Sequence, residues 1–175
     1  MIIDVSKQQI RVSENEVYEI AKRVRQLCDK YADEYYKSER PGGGCFYEVG
    51  QIGTCPLCGC VVGIALQQMG AVPSELAAAT HYISASKGVG TLLVREDGTD
   101  WPGVKYWLGL DRTPPTDDDP ATRASHALYW AAVAQSGQDS RARLGAVKQS
   151  ADEKLKSLQL DVCDFLDQMD DFDIG

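Results

Sequence analysis

Four of the six cysteines in this 175-residue chain fall between Cys45 and Cys60. Cys55-Pro56-Leu57-Cys58-Gly59 has the form of a metal knuckle. In such a knuckle a tight turn aims two sulfurs at one ion, and the glycine lets backbone N–H groups face them. Cys45 and Cys60 would complete a four-sulfur set, and the metal such a set takes is zinc. Cys28, Cys163, His81 and His126 can stand in only if the fold brings them near. Zinc knuckles normally come as two separated C-x-x-C halves, and no second half exists here. The same residues therefore also read as small buried thiols around a turn, with no cofactor expected.

A second constellation lies in the tail. Val162, Phe165, Leu166 and Met169 fall on one side of a helix, and Asp161, Asp164, Asp167 and Asp171 on another. An amphipathic acidic helix from Leu160 to Phe172 can lie in a basic or hydrophobic groove of a protein partner. Phe165, Leu166 and Met169 would be its anchors, with Asp161, Asp164 and Asp167 as its charged face. In the competing reading the apolar stripe packs on the parent domain and the aspartates face water. Asp170 to Gly175 is expected to fray.

The elements that must position these groups follow from periodicity. Ile2–Val5 and Gln9–Val12 read as two short strands. Ser13 with Glu16 forms a capping box, and Val17, Ile20, Val24, Leu27 and Tyr31 follow at helical spacing, predicting a helix from about residue 14 to about residue 36. Cys45–Val49 reads as a strand. Cys60–Met69 is apolar on all sides, predicting a core helix closed by Gly70. Ser74 to Ala79 suggests a helical turn, Thr91–Val94 a strand, and Val104–Leu110 its partner strand. Asp119-Pro120 opens a helix that Gly137 is expected to break. From Ser140 onward come one or two helices with Leu144, Val147, Leu155 and Leu158 inward. The sum is a helix-dominated α+β domain with a small antiparallel sheet and a buried, Cys-led central helix. Residues 1–160 form the single globular domain, and 161–175 the acidic tail.

Composition narrows the function classes. With 43% hydrophobic and 25% charged residues, the chain is ordinary for a globular protein. Six aspartates and no Lys or Arg occupy residues 161–175, so the first 160 residues carry only −2 of the net −8. No basic block suits a phosphate backbone, so direct nucleic-acid binding is not expected. No stretch has the length of a membrane span, and the N-terminus lacks the zones of a signal peptide, which predicts a cytoplasmic protein in a reducing compartment.

Three resemblances bear on the cysteines. A strand, then C-P-x-C, then a helix resembles the active-site turn of glutaredoxins and thioredoxins, which implies a low-pKa thiol at Cys55. Cys58 to Gly70 is similar to the nucleophile helix of papain-like NlpC/P60 peptidases, a chemistry that needs a histidine beside the thiolate. The chain offers only His81 and His126 for that role. The third is broader. Cys45-Phe46-Tyr47, the helix Cys60-Val61-Val62-Gly63-Ile64-Ala65-Leu66-Gln67-Gln68-Met69-Gly70, and Ala134-Gln135-Ser136-Gly137-Gln138-Asp139 resemble a family of small uncharacterised proteins from actinobacteria and their phages. That family shares a C-x-Y strand, a C-[ILV]-V-G-x-[AV]-L-x-x-[LM]-G helix and a later A-Q-x-x-Q-D element. The likeness spans roughly residues 14–150 and carries no assigned reaction. This chain departs from the pattern by inserting Cys55-Pro56-Leu57-Cys58, and by having Arg143-Leu144 where a tryptophan is often found.

The expectation is thus a small intracellular binding or accessory protein, phage-encoded by resemblance, acting by protein–protein interaction and with no catalytic residue assigned. The alternatives are a zinc-binding protein built on Cys55 and Cys58, and a cysteine-dependent enzyme, either a thiol–disulfide oxidoreductase or a papain-like hydrolase.

Overall fold

The computed structural model describes residues 1–35, 47, 60–82, 85–86, 88–116 and 122–175. Among them the chain is a helix-dominated α+β domain. β1 (Ile2–Asp4) and β2 (Gln9–Val12) form an antiparallel pair with Ile3 opposite Ile10. α1 (Glu14–Lys30) starts on the expected capping box: Ser13 Oγ accepts the Glu16 N–H at 3.2 Å, and Glu16 Oε2 accepts the Ser13 N–H at 2.8 Å. Its apolar stripe, Val17, Ile20, Val24 and Leu27, is buried.

α1 stops at Lys30, about a turn and a half before the sequence pattern does. The cause is tertiary. The carbonyls of Glu34 and Ala32 accept the N–H groups of Leu144 and Gly145, each at 2.9 Å. Those donors open α7, so residues 32–34 leave the helix to satisfy another helix's free first turn.

α2 (Val61–Gln68) is the expected core helix, buried from Val61 to Leu66. It closes on Gly70 at φ +100°, with Ala71 N–H bonded to Leu66 O and Gly70 N–H to Gln67 O, the paired bonds of a Schellman cap. α3 (Pro73–Thr80) follows, then the two-residue strands β3 (His81–Tyr82) and β4 (Ala85–Ser86). α4 (Val89–Leu92) runs directly into β5 (Leu93–Arg95), which pairs parallel to β2 with Ile10 opposite Leu93. The main sheet, in the order β1-β2-β5, is therefore mixed where an antiparallel one was expected, because α4 returns the chain to β5 in the direction of β2.

Two strand expectations change here. Thr91 belongs to α4, and Val104–Leu110 contains α5 (Val104–Trp107) in place of a partner strand. Gly103 takes φ +79° at the start of α5, where the Trp107 ring and Pro115 would crowd any Cβ. Short apolar runs do not separate the two periods, and the αL turn decides for helix.

α6 (Thr122–Asp139), α7 (Leu144–Ser157) and α8 (Cys163–Gln168) complete the chain. α6 packs against α1, α2, α4, α5 and α7, and its alanines 124, 127, 131 and 134 permit close approach. It does not break at Gly137. A Cβ there would lie 3.3 Å from Val147 Cγ2, so the glycine serves the contact with α7. Leu144, Val147 and Leu155 point inward as expected, whereas Leu158 is 41% exposed. No helix among the described residues is long and apolar enough to cross a membrane. The expected strand at Cys45–Val49 lies outside the described residues apart from Tyr47, which is a buried bend.

Candidate functional site

The four-cysteine set cannot be placed as a unit. Cys45, Cys55 and Cys58 lie outside the described residues, and Cys60 is fully buried at the N-cap of α2. Its sulfur accepts Gln135 Nε2 at 3.3 Å, and the same amide donates to the Tyr47 hydroxyl at 2.6 Å. Gln135 Oε1 in turn accepts the Val89 N–H at 2.8 Å, and Gln138 Oε1 accepts the Val61 N–H at 2.9 Å. Two glutamines, one turn apart on α6, thus cap the first turns of α4 and α2. Gln67 Nε2 reaches the Tyr47 carbonyl at 2.8 Å, and a Cβ on Gly63 would fall 2.1 Å from that oxygen. Tyr47, α2 and the Gln135 and Gln138 side chains of α6 therefore meet in one buried polar knot. It orients helices and leaves Cys60 no exposed face.

The other described thiols, Cys28 and Cys163, are both raised above the ordinary cysteine range. Burial pushes Cys28 up to about 12. Cys163 is raised to about 12 as well, by burial and by the Asp152 carboxylate beside it.

Comparison with known proteins returned no matching family model, no similar curated protein and no similar solved structure.

The geometry converges on Arg25. This side chain is 2% exposed, on the inner side of α1. Its Nη1 donates to Asp152 Oδ1 at 2.5 Å, and its Nη2 to Asp167 Oδ1 and Oδ2 at 2.8 and 2.9 Å. The guanidinium lies 4.9 Å from the Trp130 ring centre, and Trp130 Nε1 donates to the same Asp152 oxygen at 2.7 Å. Cys163 Sγ adds a contact to that oxygen at 3.4 Å. Burial opposes the charge on Arg25, but the hydrogen bonds to Asp152 and Asp167 outweigh it and hold the pKa above the ordinary arginine value. One buried cation thereby ties α1, α6, α7 and α8 together.

Outside this knot, α7 and α8 enclose an open groove of about 690 Å³. Asp152, Glu153, Asp161, Asp164 and Asp167 line it, with Lys148 and Lys156 as the cations and Leu160 and Val162 as apolar wall. Lys148 is engaged elsewhere, bonded to both Asp29 oxygens at 2.7 Å. Asp161 and Asp164 are exposed and form no ion pair among the described residues.

The apolar members of the tail set face the domain. Leu166 is fully buried, and Phe165 meets the Tyr18 ring edge-on at 4.8 Å under the Arg123 guanidinium. Met169 packs against the core. Of the six residues singled out in the tail, Asp161, Asp164 and Asp167 line the groove, while Phe165, Leu166 and Met169 seat α8. Residues 171–174 lie along α1 and the end of α2, bonded to Lys22, Gln26, Arg23 and Gln68.

Arg25, Asp152 and Trp130 escaped the sequence reading. The available signal was Arg25 itself, spaced four residues after Ala21 and three before Cys28 on the buried stripe of α1. A charge at a core position of a helix asks for a buried partner.

Proposed function

We propose that the chain is a small binding protein acting by protein–protein contact, an accessory factor of the actinobacterial and phage kind that its motifs resemble. In this reading the α7–α8 groove receives a basic segment of the partner. The observation that carries it is the groove's uneven charge: Asp152 and Asp167 are paired with Arg25 and Lys148 with Asp29, which leaves Glu153, Asp161 and Asp164 against Lys156. Arg25 fixes Asp152 and Asp167 from beneath, so the floor is rigid before a partner arrives. Asp161 and Asp164 remain to pair with incoming cations, and Leu160 offers apolar surface to their stems. Preorganised acidic surface of this kind favours fast association with a basic partner and sets orientation.

A fluorescently labelled Lys/Arg-rich peptide of about ten residues is the direct probe, read by anisotropy at several salt concentrations. Binding is expected to weaken as salt rises, and to fall about tenfold or more in Asp161→Asn/Asp164→Asn. Both side chains are exposed, so the variant keeps its fold. Neutralising Glu96 and Asp100, which lie outside the groove, should leave affinity nearly unchanged. If the two double variants behave alike, the peptide is reading net charge and the groove is not the site.

A further inference from the structure

We propose that the face of α1, with the last turn of α2, is a peptide-recognition groove: residues 171–174 occupy it in cis, and it accepts an extended acidic peptide with an aromatic anchor from a protein partner. This goes beyond the α7–α8 reading and does not depend on it.

The contacts are those of backbone recognition. Gln26 Nε2 donates to the Phe172 carbonyl at 2.9 Å, and Gln26 Oε1 accepts the Phe172 N–H at 3.2 Å. Arg23 Nη1 donates to the Asp173 carbonyl at 3.1 Å, and Gln68 Nε2 to the Ile174 carbonyl at 3.1 Å. Side chains of two helices thus read four main-chain groups of three consecutive residues. Main-chain contacts give such grooves affinity for any extended strand, and side-chain pockets supply the preference. Here the preference comes from Arg23, whose guanidinium stacks 4.7 Å from the Phe172 ring centre, and from Lys22, whose Nζ meets the Asp171 carboxylate at 3.0 Å.

The occupant has the alternation of an extended ligand. Phe172 and Ile174 are half-buried, while Asp171 and Asp173 are exposed. The segment itself is neither helix nor strand. Segments with few buried contacts open at low free energy, so the strap can leave without unfolding the body. Beside it a cavity of about 380 Å³ remains, lined by Lys22, Gln26 and Lys30 and by the carboxylates of Asp29 and Asp167, which leaves room for a bulkier ligand. A nucleic acid is the poorer match. Two of the reading groups are neutral amides matched to a peptide N–H and carbonyls, and Arg23 and Arg25 already have Glu19 and Asp152 as carboxylate partners.

The test uses the full chain and a labelled, capped pentapeptide, Asp-Asp-Phe-Asp-Ile, copied from residues 170–174. In the wild type the tethered strap competes at high effective concentration, so the peptide binds weakly. Phe172→Ala in the chain loosens the strap, and the peptide is expected to bind about tenfold tighter. Adding Gln26→Ala should cancel that gain. Gln68→Ala is the second variant, used if thermal melting shows that Gln26→Ala fails to fold, and it should reduce the gain. A peptide with Ala for Phe should bind about tenfold more weakly than the parent. Equal binding, or none, to wild type and Phe172→Ala overturns the proposal. So does binding indifferent to both glutamine variants, or a loosened chain that takes a labelled single-stranded oligonucleotide but not the peptide.

Discussion

Arg25 shows how much one residue decides here. Its two carboxylate partners differ in solvation: the Asp152 side chain is 34% exposed and that of Asp167 is 53%. Removing the guanidinium would strand Asp152, which is also bonded to Trp130, while Asp167 could largely rehydrate. Arg25→Met should therefore cost about 3 kcal/mol, the lower end for breaking a buried pair. Lys148→Met is the comparison. That lysine pairs with an Asp29 that is 61% exposed, and its loss should cost no more than about 1 kcal/mol. Urea unfolding midpoints of the two variants check the contrast, and equal losses would mean that Arg25 is no keystone. Legibility at this scale was uneven. Ser13 and Glu16 could be read as a capping box because both partners lie within one helical turn. Asp152 and Asp167 lie 127 and 142 positions from Arg25, and no local pattern links them.

Between elements, two glycines separate necessity from convenience. On α2, Gly63 faces the Tyr47 backbone, and a Cβ would overlap its carbonyl oxygen at 2.1 Å and its Cα at 2.5 Å. Backbone cannot step aside as a rotamer can, so Gly63→Ala should cost about 3 kcal/mol or more. On α6, Gly137 would bring a Cβ only to 3.3 Å from a Val147 methyl. The helix propensity gained in Gly137→Ala offsets that crowding, so stability should change by less than about 1 kcal/mol. Thermal melts of both variants decide it. The same reasoning explains why the sequence pattern ended a helix at Gly137 when the helix runs on. Propensity is worth less than a close interhelical contact. The C-terminal cap at Gly70 was readable because it uses only neighbouring carbonyls. α5 was mistaken for a strand because four residues carry too little periodicity to tell the two apart.

For the whole molecule, the buried thiols predict alkaline behaviour. Cys28 is raised from an ordinary 9.0 to about 12, chiefly by burial. Below about pH 9 both the folded and the unfolded chain keep this proton, so the thiol favours neither state. Between about 9 and about 12 the unfolded chain releases the proton and the native one retains it, so stability falls as pH rises. Over that range each such group contributes a slope of roughly 1.4 kcal/mol per pH unit. Tyr18 and Tyr129, raised by burial as well, add to the fall at higher pH. Cys28→Ala should lose less stability than the wild type between about pH 8 and about pH 10.5, measured by urea midpoints. Parallel profiles would show that Cys28 is not responsible.

By itself the sequence determined the fold class, the capped start of α1, the buried run of α2 with its glycine stop, and the division of charge between a near-neutral body and an acidic tail. These are properties of local period, local hydrogen bonding and composition, and neighbours along the chain suffice to express them. Only the tertiary structure decided that α1 stops at Lys30, that β5 pairs parallel with β2, and that two glutamines of α6 cap other helices. It also decided that the tail's apolar face and its last residues lie on the parent domain, leaving Asp161 and Asp164 to the groove. Each of these turns on a donor, acceptor or charge satisfied by a residue distant in sequence, and a linear pattern carries no record of which distant partner the fold will supply.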